Sequence, residues 1–145
     1  MSQSLLRRVG LGLYMAVTAA LFAFGLLYVS VSDMLFFHAA AVPRTVHATI
    51  LPLYLALMQL IGGASMAAAL LGGYTLWWPM RRGVPHAQTA VTLAYLLALA
   101  VAGLTAEGLR AATGAPVAWH NMGVLAGLTL LGQAAWDIAR RRSVE

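Results

Sequence analysis

Residues 10–32, GLGLYMAVTAALFAFGLLYVSVS, form a run of 23 residues without a charge. An α-helix rises 1.5 Å per residue, so about 20 apolar residues cross the roughly 30 Å hydrocarbon core of a bilayer. A secretory signal would carry a shorter apolar core, roughly 7–15 residues, followed by a small-residue cleavage site. The run therefore reads as a retained first membrane span. Outward from it, further apolar runs follow at about 46–72, 86–105 and 119–136. Lipid offers no partner to backbone N–H and C=O groups, so each run must be helical. The expected fold is all-α: a membrane four-helix bundle, with residues 1–145 forming a single integral membrane domain.

Composition points the same way. Of 145 residues, 61% are hydrophobic and only 9% are charged, against about a quarter charged in soluble domains. The absence of cysteine excludes disulfides, thiolate metal sites and thiol redox chemistry. All nine basic residues are arginine. The net charge of +5 could suggest nucleic acid, but the arginines sit at the ends of the apolar runs, where they act as topology signals. No nucleic-acid partner is expected; the bilayer is the expected solvent. The Ala, Gly, Leu and Arg bias suggests a GC-rich bacterial genome, and hence the bacterial inner membrane.

With the N-terminus inside, Arg7, Arg8, Arg81, Arg82, Arg140, Arg141 and Arg142 are cytoplasmic, and only Arg44 and Arg110 are outside. Seven against two satisfies the positive-inside rule and places both termini in the cytoplasm. Trp77 and Trp78 stand beside Arg81 and Arg82 as an interfacial aromatic pair with a basic anchor.

This topology sorts the rare polar groups. Residues 33–49, DMLFFHAAAVPRTVHAT, lie on the outer side and carry Asp33, His38, Arg44 and His47. Glu107, Arg110 and His120 share that side, whereas His86, Asp137 and Glu145 fall on the inner one. At 100° per residue, His47, Leu51, Tyr54, Met58 and Ser65 share a stripe of the second span, with Gln59 beside it. An outward-opening pocket follows, with Tyr54, Met58, Gln59, Asp33 and His38 as ligand-binding residues and His47, Glu107 and His120 at its rim.

Several chemistries use such a rim. His47, Glu107 and His120 are candidate catalytic residues for general acid–base work on a small apolar ligand. The same three could hold a divalent metal, since imidazole suits Zn, Cu, Fe or Ni. Two histidines on facing helices could instead ligate haem. Against these stand plainer roles: interfacial anchoring for the histidines, core packing for Tyr54 and Met58, and an interhelical hydrogen bond for Gln59. Small residues recur at Gly62, Gly63 and Gly72, at Ala90, Ala94, Ala98, Ala102 and Ala106, and at Gly123 and Gly127. They suit close helix packing within the bundle, a homo-oligomer contact or a partner subunit.

The first span ending in Ser32-Asp33, then His38, Pro43 and the His47-Ala48 pair opening the second span, resembles small bacterial four-span membrane families of unknown function. The overall layout resembles that of DoxX-like membrane proteins. In architecture it is also similar to the four-helix sterol-isomerase-like membrane fold, which implies an apolar cavity faced by histidine and acids. The leading expectation is thus a pocket for a small apolar ligand or a metal, with or without catalysis. A non-enzymatic membrane subunit or assembly factor is the alternative. A small transporter is a third, with only Gln59 and Ser65 to supply a polar path.

Overall fold

The computed structural model describes residues 2–117 and 119–141, and these are helical apart from short linkers. Helix α1 spans Gln3–Val29, the short α2 Phe36–Ala39, α3 His47–Trp77, α4 Ala87–Thr113 and α5 His120–Arg141. A single 3-10 turn, Arg44–Val46, leads into α3. All four long helices are long and apolar enough to cross a membrane. Leu60, Leu71, Leu97 and Leu104 are 68–74% exposed, a leucine belt that water would penalise and lipid tails accept. The chain is a multi-pass membrane four-helix bundle.

The helices outrun the apolar stretches. The first begins at Gln3 rather than near residue 10, α3 continues to Trp77, α4 to Thr113 and α5 to Arg141. A helix of 27 residues is about 40 Å long, more than the hydrocarbon core needs. Its ends lie in the interfacial layer, where arginine stems stay apolar and the heads reach water. Caps therefore set the ends. The Ser2 hydroxyl accepts the Leu5 N–H at 3.3 Å, and Gly114 closes α4 in the left-handed conformation at φ 69°. His86 also adopts that conformation, at φ 62°, where the chain turns into α4. Pro52 lies within the second turn of α3, so the ladder lacks the bond its N–H would have made.

Helix α1 packs against α3 on one side and α5 on the other, and α4 closes the ring against α5 and, more lightly, α3. Two glycine pairs permit this. A Cβ on Gly25 would stand 2.6 Å from the Gly62 carbonyl oxygen, and one on Gly10 would stand 3.0 Å from that of Gly132. The closest contacts thus pair α1 glycines with Gly62 and Gly132, while a Cβ on Gly63 or Gly127 would meet nothing within 4 Å. The alanine ridge of α4 is split: Ala90 and Ala94 are exposed, and Ala98, Ala102 and Ala106 border a cavity.

The start of α1 and the end of α5 share one end of the bundle, the terminal end, with the α3–α4 turn; the two remaining linkers form the far end. Arg81 lies 4.1 Å from the Trp77 ring centroid and Arg82 lies 3.8 Å from that of Trp78, so the basic anchor and the aromatic pair are stacked. Arg142 and Glu145 fall outside the described residues.

Candidate functional site

In the far half of the bundle the four long helices splay around a cavity of about 690 Å³. Leu21, Leu99, Met122 and Leu125 line its deeper part. Phe36, Phe37 and His38 of α2 close over it. No charged side chain lines it among the described residues.

The lid is built from the linker between α1 and α3. Asp33 starts it locally, its Oδ1 accepting the Met34 N–H at 2.7 Å. The Leu35 N–H donates to the Tyr54 hydroxyl at 3.2 Å, and His38 Nδ1 lies 2.9 Å from the same oxygen. Tyr54 has one proton to place. It already accepts from Leu35, so donation to His38 Nδ1 satisfies every group and leaves the neutral imidazole with its proton on Nε2. The His38 ring meets Phe37 at 4.4 Å, Tyr54 at 5.6 Å and Tyr28 at 6.3 Å between centroids. Burial among these rings holds the His38 pKa below its usual value. His47 Nε2 lies 2.9 Å from the Val42 carbonyl oxygen and fastens the other end of the linker.

The candidate residues separate. His38 and Met58 line the cavity, and Tyr54 anchors its lid. Gln59 is exposed on the outer face of α3 rather than turned toward a neighbouring helix. Glu107 makes a two-pronged ion pair with Arg110, at 2.9 and 2.6 Å. It borders a second hollow, an open groove of about 620 Å³ between α4 and α5. His120 stacks on Trp119 at 4.4 Å between centroids, on the same side of the bundle as Glu107. His47 lines neither hollow. The expected trio of His47, Glu107 and His120 is therefore not gathered at one rim. His47 is the first residue of α3, where a ring can turn back onto its own linker instead of following the stripe of Tyr54 and Met58. Among the described residues no group of three His, Asp or Glu side chains is placed to hold a metal. Only one histidine among them, His38, faces the cavity, so no pair there could ligate haem.

Two features carry little signal in the sequence. One is Tyr28, four residues after Phe24 on α1, which lines the cavity and is 8% exposed. The other is a polar network in the terminal half. Gln88 and Gln133 donate from Nε2 to the two Asp137 oxygens at 3.0 and 2.9 Å. The Gln133 carbonyl oxygen in turn accepts from the Tyr14 and Thr92 hydroxyls, each at 2.9 Å. One turn further along α1, the Thr18 and Tyr95 hydroxyls lie 2.7 Å apart. The i,i+4 pairs Gln88/Thr92 and Gln133/Asp137 inside apolar runs were the available signal, since polar residues in a span rarely face lipid. The network satisfies itself: no enclosed side-chain N or O lacks a partner among the described residues.

Comparison with protein-family models, with curated proteins and with solved structures returns no match.

Proposed function

We propose that this chain is a bacterial inner-membrane protein that binds a small apolar molecule in the cavity beneath α2. Both termini lie in the cytoplasm, and the lid faces the opposite side. The observation that carries the reading is the cavity itself: about 690 Å³, free of charge, under a lid fastened by Tyr54. That volume is in the range of small-molecule sites, and a mostly apolar lining with few polar groups is their usual chemistry. The orientation rests on Arg7, Arg8, Arg81, Arg82, Arg140 and Arg141 at the terminal end, against Arg44 and Arg110 at the far end. The layout is also the one that the resemblance to DoxX-like four-span proteins implies.

The test is solvent extraction of protein purified in mild detergent, with mass spectrometry of what is released. Ala102→Phe projects a ring into the cavity and obstructs it, and Ala90→Phe on the exposed face is the control. A compound retained by wild type and Ala90→Phe but absent from Ala102→Phe supports the reading. Equal recovery from all three overturns it. Orientation is tested separately with single cysteines in this cysteine-free chain: a thiol at Thr45 should react with an impermeant reagent in spheroplasts, and one at Gly83 should not.

A further inference from the structure

We infer that the ligand carries a neutral oxygen acceptor of the carbonyl class, held at the roof of the cavity by the Tyr28 hydroxyl and the His38 Nε2–H together. This rests on the cavity being a binding site and names the chemistry it selects.

Tyr28 supplies the first free donor. Tyr28 is 92% buried (100 − 8) and packs its ring on Phe24 and His38. Its hydroxyl has no hydrogen-bond partner among the described residues. It is not sealed in, because no fully enclosed side-chain polar atom lacks a partner. Tyr28 lines the cavity, so that is where the hydroxyl has room. Tyrosine buried in an apolar setting normally bonds through its O–H.

The second donor follows from counting protons. With Tyr54 donating to Nδ1, His38 presents Nε2–H, and that nitrogen has no protein partner among the described residues. Other hydroxyls in the lining are already used: Ser65 donates to the Ile61 carbonyl at 2.9 Å and Thr105 to the Val101 carbonyl at 2.8 Å. The roof thus offers two N–H or O–H donors, on rings 6.3 Å apart.

Those donors select a head group. A carbonyl oxygen has two lone pairs and no proton, so it accepts from both. An alcohol could also accept from both, but it must place its own proton on the Tyr28 oxygen or on the Asn121 side-chain oxygen, whereas a carbonyl has no proton to place. A carboxylate or an amine would enter a lining without a countercharge, and an unpaired ion in such a site is strongly disfavoured. Apart from the Asn121 amide and the Ser65 and Thr105 hydroxyls, the remaining lining is apolar and suits a hydrocarbon body.

The experiment uses three probes of one shape: benzophenone, diphenylmethanol and diphenylmethane. Wild type in detergent should bind benzophenone about ten-fold tighter than diphenylmethane, the scale of one to two net hydrogen bonds. The bound carbonyl stretch should move to lower wavenumber. Tyr28→Phe and His38→Phe should each reduce the preference and the band shift, and His38→Gln, which keeps an N–H donor, should restore part of both. Tyr28→Phe loses no protein hydrogen bond, so misfolding is not a competing explanation; its melting point should match wild type. If all three probes bind alike and Ala102→Phe abolishes their binding, the cavity reading survives and the carbonyl inference is overturned. If no probe binds wild type, or Ala102→Phe changes nothing, the cavity reading fails and this inference with it.

Discussion

The Tyr14 hydroxyl on α1 donates to the side-chain carbonyl of Gln133 on α5 across 2.9 Å. That oxygen also accepts from Thr92 on α4, so one amide joins three helices. The roles of the two partners are unequal. Tyr14→Phe removes one donor and leaves Gln133 bonded to Thr92, so the expected cost is about 0.5–1 kcal/mol, typical of interhelical bonds in membranes. Gln133→Leu removes the acceptor both hydroxyls share, leaving them bonded to each other and to the Gln88 carbonyl, and also takes a donor from Asp137, so it should cost about 1–2 kcal/mol. Thermal unfolding in detergent should rank the melting points wild type, Tyr14→Phe, Gln133→Leu. The reverse order would mean that the network is incidental to stability.

At the head of that network, Asp137 accepts two amide donors on two oxygens. An asparagine side chain in its place would offer one acceptor and one donor. Gln88 makes no other side-chain bond among the described residues, so its amide can flip and accept from the introduced NH₂ group, leaving Gln133 undisturbed. Asp137→Asn should therefore change the melting point little. Asp137→Leu leaves both amides unpaired, a cost of about 1–3 kcal/mol for each enclosed group. Equal loss in both variants would show that the negative charge, not the hydrogen bonding, is what the site requires.

The glycines divide sharply. At Gly25 and Gly62 a methyl would press on a backbone carbonyl 2.6 Å away, which no rotamer relieves. Gly25→Ala and Gly62→Ala should each destabilise at the upper end of the roughly 1–3 kcal/mol seen for overpacking. At Gly12 and Gly63 a methyl meets nothing within 4 Å. Gly12→Ala and Gly63→Ala should be neutral or stabilising by up to about 1 kcal/mol, through helix propensity. Melting points of the four variants check this directly.

Long charge-free runs make the four helices legible in the sequence because the bilayer permits nothing else, and the arginines mark their ends. Close contacts are another matter. Gly62 and Gly63 are adjacent and chemically identical, and only the rotation of α3 decides which one meets α1. His47 leaves its expected stripe for a related reason: stripe geometry holds inside a helix, but a first residue is free to turn back toward Val42. The lid has no periodicity at all. Its four-residue helix is fixed by Tyr54, 16 positions from His38, and a contact across a linker leaves no local pattern. Tyr28 and Gln133 stay hidden because a lone polar residue in an apolar run gives a weak signal until its partners are known.

His38 makes the lid pH-sensitive. Burial among Tyr28, Phe37 and Tyr54 lowers its pKa, and no acidic or basic group lines the cavity there to offset the effect. The folded chain therefore binds fewer protons than the unfolded one. The stabilising contribution of neutral His38 is fully present above the ordinary histidine pKa of about 6.5 and is lost as pH falls through it toward the lower folded value. The chemistry of the loss is local. Once Nδ1 is protonated it can only donate, so the Tyr54 oxygen must accept from His38 and Leu35 at once and turn its own proton away from both. The Leu35–Tyr54 clasp weakens, and α2 should lift before the bundle unfolds. Hydrogen exchange at the Leu35 amide, corrected for intrinsic rate, should show falling protection as the pH is lowered from about one unit above the ordinary histidine pKa to about one unit below it in wild type. His38→Gln, which cannot titrate, should show flat protection over the same range, separating His38 from the other three histidines. Protection that falls equally in both proteins would place the pH response elsewhere and remove His38 as the lid's sensor.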